Sequence, residues 1–316
     1  MSPAIPGRYH NLPVRVNVGL DPPDRDSRHH DVIAIEFRRG TIARMADDDL
    51  ATTQWRALLT GEDPSLKDVR KFWRHLPAAP RCKVCASPTQ GIGGAVARVF
   101  WHGPMRDNPL LCKACFGKLN GHPGGAELEI SVVFADVRGS TGLAERSTAS
   151  EFRSLIQDYY RSAATAIDVN GGIIDKFLGD GVMALFIPVI TGENHAGRAI
   201  AAGRDILAAV ERDGLARKGL MVGAGVHTGE AFVGVVGSDE KLDFTALGDA
   251  INICARLGGL AGPGELLVSR DAWDRAGLGT PPAVRDVEIA GRTGALSVVA
   301  TGPAMEAIVQ EQHVSP

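Results

Sequence analysis

The feature that most restricts the fold of this chain is a set of four cysteines arranged as two identical pairs. Cys82 and Cys85 form one C-x-x-C pair, Cys112 and Cys115 form the other, and 26 residues separate the pairs. Each pair can direct two thiolates at one ion, so the two pairs predict a tetrahedral S₄ site of the kind that structural Zn²⁺ occupies. The glycines and prolines in between predict a small ribbon that depends on the metal for its stability.

Two other interpretations of the cysteines stay open, namely an iron–sulfur centre or redox-labile zinc, and disulfide bonds. Disulfides are the less favoured of these, because the N-terminal residues MSPAIPGRYHNLPVRV contain no apolar segment typical of an export signal. No run of about 18 apolar residues occurs either, so we expect a cytoplasmic protein without a membrane partner.

Composition excludes several classes of protein. The 316 residues are 44% hydrophobic and 22% charged, which is ordinary for a soluble globular chain and excludes collagen-like and globally disordered classes. Ten basic and two acidic residues lie between Lys67 and Lys118, which raises the question of nucleic-acid binding. Few aromatic residues are interleaved with these charges, chiefly Phe100 and Trp101, so nucleic acid is not the expected partner.

The chain divides into six predicted segments. Asp47 to Asp49 are expected to cap a helix over TTQWRALLT, and Ser65 to cap a second helix over SLKDVRKFWRHL. The predicted segments are a poorly ordered arm at 1–30, a small strand and helical region at 31–80, the Cys₄ ribbon-like module at 81–119, a linker at 120–126, a larger domain at 127–302 and a tail at 303–316.

The larger domain shows alternating strand and helix patterns. The strand LEISVVFADV precedes a helix from about Ser147, and the strands GIIDKFL and VMALFI follow, joined by a Gly179-Asp180-Gly181 turn. A helix from about His195 to Arg212, the strands MVGAGVHTG and EAFVGVVG, and the helix AINICARLGGL complete the pattern. This β-α-β-β-α-β order predicts an α+β, ferredoxin-like sheet with its helices on one face.

Two carboxylates of this domain are candidates for metal binding. Asp136 ends the first strand, and Asp180 lies in the turn of the following hairpin. If the strand neighbours the hairpin, both carboxylates converge and can hold two Mg²⁺ ions on a triphosphate. The small-residue turn after Asp136, which includes Gly139, Ser140 and Thr141, offers backbone N–H groups to the phosphates.

Asn252 and Arg256 form a second candidate pair. They are four residues apart in the predicted helix, so both project from one face and can orient a ribose and neutralise phosphate charge. A merely solvated face would not need Asn at a helix interior, where its propensity is poor. Cys254, between them, is expected to be a small buried hydrophobic residue.

Four blocks of the larger domain carry a resemblance to a known family. VVFADVRGST, DKFLGDGVMALF, GVHTGEAFVGVVG and FTALGDAINICARL resemble the successive motifs of the class III adenylate and guanylate cyclases. The resemblance implies a cyclase catalytic domain at 127–302 that forms a head-to-tail homodimer with sites built across the interface. It also implies two Mg²⁺ or Mn²⁺ ions per site, held by Asp136, Asp180 and the Val137 carbonyl.

The same resemblance assigns the remaining site residues. Lys176 and Thr245 match the purine-selecting pair, Asn252 and Arg256 match the transition-state pair, and Arg292 aligns with a triphosphate-binding position. Thr245 stands where many adenylate cyclases carry Asp, yet its hydroxyl can still accept from the adenine 6-amino group. Guanine-selecting sites usually carry Glu and a small residue at this pair, so ATP is favoured over GTP.

The function predicted from the sequence is an adenylate cyclase that converts ATP to 3′,5′-cyclic AMP and pyrophosphate. The Cys₄ module is expected to stabilise or regulate it. Two alternatives stay open: a guanylate cyclase, and a non-catalytic signalling or nucleic-acid-binding module with a cyclase-like dimerisation domain.

Overall fold

The computed structural model describes residues 51–76, 80–104, 112–120, 124–238, 241–289 and 294–302. Two compact units divide at residue 47, and every described residue belongs to the second unit. The predicted arm at 1–30, the Asp47 to Asp49 cap and the tail at 303–316 therefore lie outside the described residues.

The described chain begins with four helices and continues with interspersed strands and helices. The helices are α1 (residues 51–60), α2 (Pro64–Arg74), α3 (Gly91–Val99), α4 (Lys113–Asn120), α5 (Ser140–Glu145), α6 (Ala149–Val169), α7 (Pro188–Thr191), α8 (His195–Arg212), α9 (Asp249–Leu260) and α10 (Arg270–Arg275). The strands are β1 (Gly124–Arg138), β2 (Ile173–Leu178), β3 (Gly181–Phe186), β4 (Met221–Ser238), β5 (Lys241–Leu247), β6 (Leu266–Ser269), β7 (Val284–Glu288) and β8 (Ala295–Thr301). Short 3₁₀ turns occur at Gly192–Asn194 and Ala216–Lys218.

One mixed sheet organises these elements. Its strand order is β2-β3-β1-β4-β6-β8-β7, and β5 pairs with β4 outside that path. The first four strands, β2-β3-β1-β4, are all antiparallel to their neighbours and have the order of a ferredoxin-like sheet. β6 then extends the sheet by pairing parallel to β4. The α+β fold predicted from the sequence is confirmed.

Both faces of the sheet are covered, whereas the sequence predicted helices on one face. α6 and α8 pack on the first face, where the buried Tyr159 donates a hydrogen bond to the Ala135 carbonyl at 3.0 Å. α9 and the cysteine-bearing segment pack on the other, in a cluster that includes Cys82, Ile130 and Cys254. An uncovered second face would expose the apolar residues of β1, which are buried almost continuously along the strand.

The predicted strands MVGAGVHTG and EAFVGVVG form a single strand. β4 runs without a break from Met221 to Ser238 and pairs with β1 along the whole of β1. Gly229, at the expected junction, does not adopt a positive φ, so no turn forms there. The structure also adds β5, a strand that the sequence pattern did not predict and that carries Thr245.

The two N-terminal helices were predicted correctly, except for the N-cap residue of the second one. α1 and α2 lie where the periodicity places them, but the N-cap of α2 is Asp63 rather than Ser65. The Asp63 carboxylate accepts hydrogen bonds from the backbone N–H groups of Ser65 and Leu66 at 2.8 and 3.4 Å. A carboxylate at this position also complements the helix dipole, which a serine does not.

In its described residues, 86–104, the glycine-rich stretch between the cysteine pairs contains a helix and isolated bridges instead of extended ribbon strands. Bridges join Arg81 to Pro88 and Pro104 to Cys112, and α3 lies in between. A Cβ at Gly94 would lie 2.8 Å from the backbone of Thr89, so the glycine permits close packing and does not mark a turn.

No helix in the described part of the chain is long and apolar enough to cross a bilayer.

Candidate active site and cysteine centre

Asp136 and Asp180 lie together at one end of the sheet. Asp136 pairs with Gly181 across β1 and β3, and the Val137 amide donates a hydrogen bond to the Asp180 carbonyl at 3.3 Å. Burial raises the pKa of Asp136, and the negative charge of Asp180 raises it further, while Arg138 opposes both effects. The strand-to-hairpin contact on which the candidate metal site depends therefore exists.

The chemistry of this pair fits a hard divalent cation. Carboxylate oxygens are the ligands that Mg²⁺ and Mn²⁺ prefer, and a cation between two carboxylates cancels their electrostatic repulsion. Arg138 neutralises part of this negative charge within the chain, since its guanidinium lies 2.6 Å from Asp136 Oδ2. Asp136, Asp180 and the Val137 carbonyl remain the candidate metal ligands.

The predicted phosphate-binding residues follow β1 directly. Gly139 adopts a left-handed conformation with φ of 65° at the start of α5, and Ser140 and Thr141 are the first residues of that helix. Gly139 and Thr141 are exposed, and Ser140 is partly exposed. This turn lies within five residues of Asp136, so it can approach the same ligand.

The predicted base-selecting residues are in contact. Lys176, on β2, donates from Nζ to the Thr245 hydroxyl at 3.4 Å, although the two residues are 69 positions apart. Sequence reasoning missed Asp175, whose carboxylate accepts from the Thr245 hydroxyl at 3.1 Å and lies 3.2 Å from Lys176 Nζ. The D-K dipeptide was visible in the sequence, but alternation along a strand places neighbouring side chains on opposite faces.

Asn252 and Arg256 project from α9 into solvent. Both are exposed, and within the described part of the chain neither side chain forms a hydrogen bond or ion pair. α9 is held tightly against the sheet, because a Cβ at Gly225 would lie 2.3 Å from the Gly258 backbone nitrogen. The helix is thus a rigid support for two polar side chains that have no partner among the described residues. Arg292 lies outside the described residues.

Cys254, between this pair on α9, is fully buried as expected. Its Sγ donates to the Val132 carbonyl at 3.1 Å, and burial raises the pKa of the thiol to about 12. A thiol held protonated in this way is unreactive at neutral pH.

The four paired cysteines converge as predicted. Their Sγ atoms all lie within 4.8 Å of one another, and none forms a disulfide. The Cys85 and Cys112 sulfurs are 3.6 Å apart, close to the roughly 3.8 Å edge of a tetrahedron with Zn–S bonds of about 2.3 Å. Hydrogen bonds from the other thiols lower the pKa of Cys112, and the bond from Cys115 has the largest effect. These bonds favour the thiolate form of Cys112. The donor set fits a single metal ion.

A histidine, His102, also lies at this centre. His102 Nδ1 is 3.3 Å from Cys112 Sγ and 3.5 Å from Cys85 Sγ. A ring N–H beside metal-binding thiolates is a common outer contact that orients the ligands. His122, the other histidine near the cluster in sequence, lies outside the described residues.

The cysteine centre is joined to the sheet domain by charged side chains. Arg70 on α2 donates from Nε to the Val84 carbonyl at 2.6 Å, and its terminal nitrogen contacts the Val189 carbonyl. Lys83, inside the first cysteine pair, forms an ion pair with Asp168 near the end of α6 at 2.6 Å. α2, the cysteine loop and the sheet domain therefore share one network.

Comparison with known proteins gives the family of the sheet domain. A family profile described as the adenylate and guanylate cyclase catalytic domain matches residues 126–290, slightly more than half of the chain. An adenylate cyclase of Anabaena cylindrica is 34% identical over 142 residues, which are 42% of this chain and 27% of that protein. This chain thus matches about a quarter of the length of that relative.

Two solved structures have the same fold. The guanylyl cyclase Cya2 is 27% identical and superimposes with a TM-score of 0.53 over 56% of this chain and 93% of that chain. The adenylyl cyclase CyaB from P. aeruginosa is also 27% identical, with a TM-score of 0.51 over 55% of this chain and 93% of that chain. Taken with the profile match and the sheet order, these similarities establish that the chain belongs to the adenylate and guanylate cyclase family.

Proposed function

We propose that this protein is an adenylate cyclase that converts ATP to 3′,5′-cyclic AMP and pyrophosphate. The observation that carries the choice of ATP is the contact between Lys176 Nζ and the Thr245 hydroxyl. The 6-amino group of adenine is a donor, which suits the Thr245 hydroxyl as an acceptor. The ring nitrogens of adenine are acceptors, which suit the Lys176 ammonium as a donor. A guanine-selecting site benefits from a carboxylate opposite N1–H and the 2-amino group, and Lys176 opposes those donors.

The reaction is an intramolecular phosphoryl transfer. The ribose 3′-hydroxyl loses its proton to water and its oxygen forms a bond to the α-phosphorus. The bond from that phosphorus to the bridging oxygen breaks, and pyrophosphate leaves with the electron pair. Asn252 orients the ribose, and Arg256 stabilises the charge that develops around the phosphorus. The backbone N–H groups of Gly139, Ser140 and Thr141 bind phosphate oxygens, and Arg292 is proposed to bind the triphosphate as well.

Asp136, Asp180 and the Val137 carbonyl are proposed to hold two divalent cations, Mg²⁺ or Mn²⁺. Such cations favour ionisation of the 3′-hydroxyl and neutralise the charge of the triphosphate. The proximity of the two carboxylates supports this assignment, because burial and mutual repulsion otherwise leave Asp136 with a raised pKa. The protein's own contribution is to hold these oxygens at the end of a rigid sheet.

The site is proposed to lie between two subunits of a head-to-tail homodimer. The side chains of Asn252 and Arg256 are exposed and form no hydrogen bond within the described chain. Groups that act on a ligand held by another subunit are expected to be in this state. Asp136 and Asp180 of one subunit would then face Lys176, Thr245, Asn252 and Arg256 of the other.

The Cys₄ centre is proposed to bind one Zn²⁺ and to stabilise the catalytic domain from outside the active site. Four free thiols within 4.8 Å support a metal site over disulfides, and free thiols are typical of a reducing, cytoplasmic compartment. Its residues share an apolar cluster with β1 and β3, so loss of the metal would loosen packing against the sheet.

The test is direct measurement of product. Purified protein is incubated with Mn²⁺ and either ATP or GTP, and cyclic nucleotides are quantified by mass spectrometry. The proposal predicts cyclic AMP as the main product and little cyclic GMP. Cyclic GMP as the main product would make the protein a guanylate cyclase, and the absence of both products would favour a non-catalytic role.

A further inference from the structure

Asp175 occupies an irregular position in β2. Across β2 and β3, Ile174 pairs with Ala184 and Lys176 pairs with Met183, so Asp175 is the additional residue of a β-bulge. A bulge breaks strict alternation and redirects side chains, which is why bulges are frequent beside active sites. The bulge allows the consecutive residues Asp175 and Lys176 both to reach Thr245 on β5.

The carboxylate of Asp175 is enclosed, in contrast to that of a surface residue. Its side chain is 1% exposed, whereas that of Lys176 is 41% exposed. One oxygen, Oδ2, contacts Lys176 and Thr245, and the other, Oδ1, is buried with no hydrogen-bond partner among the described residues. Burial raises the pKa of this carboxyl, against the opposing effects of Thr245 and Lys176. A half-satisfied buried carboxylate costs free energy, so its presence calls for a reason.

That reason is found in the hydrogen-bonding capacity of Thr245. A hydroxyl has one proton to donate and two lone pairs that accept. The proton of Thr245 is directed to Asp175 Oδ2 at 3.1 Å, and Lys176 Nζ approaches one lone pair at 3.4 Å. The group that Thr245 has left to offer a ligand is therefore an acceptor.

We propose that Asp175 is a positioning residue that sets base selectivity by fixing the hydroxyl of Thr245 as an acceptor. An acceptor matches the 6-amino group of adenine and is mismatched with the 6-oxo group of guanine. This inference rests on the proposed function, since it assumes that Lys176 and Thr245 contact the purine. Thr245 alone does not determine whether its hydroxyl accepts or donates, because a free hydroxyl can rotate. The inference assigns that choice to Asp175.

The first variant to test is Asp175→Leu, which keeps the branched shape and removes the acceptor. The Thr245 hydroxyl is then free to donate to a 6-oxo group. We expect the ratio of kcat/KM for ATP to kcat/KM for GTP to fall by about tenfold or more. In Asp175→Asn the amide oxygen can still accept the Thr245 proton, so this variant should keep the ratio within about threefold of the wild type.

A double-variant cycle separates positioning from general damage. In a Thr245→Val background the hydroxyl is absent, so adding Asp175→Leu should change the ratio no further. Asp205→Leu is the matched control, because Asp205 also accepts a hydrogen bond, from Asn170 at 2.7 Å, at a site on α8. It should leave the ratio unchanged. If Asp175→Leu does not fold, Asp175→Ala gives the same readout with a smaller side chain.

Binding of analogues that cannot cyclise provides a readout independent of turnover. The dissociation constants of 2′,3′-dideoxy-ATP and 2′,3′-dideoxy-GTP, measured by calorimetry, should converge in Asp175→Leu. Equal losses for both bases, or an unchanged ratio in a folded variant, would overturn the inference and leave the proposed function standing. A wild-type protein that forms no cyclic nucleotide would instead refute the proposed function, and the analogue ratios would still test Asp175.

Discussion

The amide of Val137 donates a hydrogen bond of 3.3 Å to the carbonyl of Asp180, and this bond fixes the hairpin turn beside the end of β1. The contact brings the Asp180 carboxylate close enough to raise the pKa of Asp136. Because the link is made by backbone atoms, substitution of either carboxylate should leave the arrangement of the strands intact.

Removal of either carboxylate should abolish cyclase activity without unfolding the protein. We expect Asp136→Asn and Asp180→Asn each to lower kcat by about 100-fold or more, because each substitution removes charge that a divalent cation requires. Asp213→Asn, at an exposed carboxylate after α8, is the control and should retain activity. Near-wild-type turnover in either active-site variant would refute the metal assignment.

The cysteine centre should bind about one equivalent of zinc per chain. Metal analysis of the purified protein measures this directly, and Cys115→Ser should lower both the zinc content and the melting temperature. Cys254→Ala is the matched control, since Cys254 lies outside the cluster, and it should retain the metal. A brown protein with visible charge-transfer absorbance would contradict zinc and identify an iron–sulfur centre.

Arg70 should be a major contributor to the attachment of the cysteine loop to the sheet domain. Arg70→Met removes charged donors from the carbonyls of Lys83, Val84 and Val189, so we expect a loss of about 2 kcal/mol in the free energy of unfolding. Arg74→Met, at an exposed position one turn along the same helix, removes an equal charge and should cost little. Urea denaturation of both variants checks this, and equal stabilities would contradict the proposed role.

Stability should decrease as the pH falls below about 6.5, because His195 is buried and its neutral form is favoured. Burial lowers the pKa of His195, and the positive charge of Arg275 lowers it further, against the opposing effects of Glu129 and Glu193. Ser131 contacts the imidazole as a neutral partner at 2.9 Å. The unfolded chain therefore binds a proton at a higher pH than the folded chain does, and acid favours unfolding.

His195→Gln should show a smaller loss of stability between pH 7.5 and pH 5.5 than the wild type shows. Denaturation curves at the two pH values measure the difference. An identical pH dependence in the two proteins would mean that another group, and not His195, controls this range.

The elements that local pattern determines could be predicted from the sequence, and those that depend on contacts between distant strands could not. Asp136 and Asp180 were found because alternation and a Gly-Asp-Gly turn are local signals of a strand and a hairpin. Asp175 was missed because a bulge depends on the register between β2 and β3, which the sequence of β2 alone does not specify.

Glycine was the other source of error. Gly94 was interpreted as part of a ribbon, yet it lies inside α3, where only a glycine fits against the backbone of Thr89. Gly229 was taken for a strand boundary, yet it lies within the continuous strand β4. A glycine can be required either by a turn or by close packing of the backbone, and in both cases the sequence alone does not show which of the two applies.

The claim that each site is shared between two subunits can be tested with two covalently linked dimers. In one tandem, Asp136→Asn is placed in the first copy and Asn252→Ala in the second. In the other tandem, both substitutions are placed in the same copy and the second copy is wild type. Both proteins carry the same two lesions and differ only in their distribution.

Cyclic AMP production by these two tandems is the decisive measurement. With shared sites, the tandem that carries one lesion in each copy has one intact site and should retain about half of the wild-type tandem rate, while the tandem with both lesions in one copy should be inactive. With sites contained in single chains, the activities would be reversed. Activity only in the tandem with both lesions in one copy would therefore contradict the shared site.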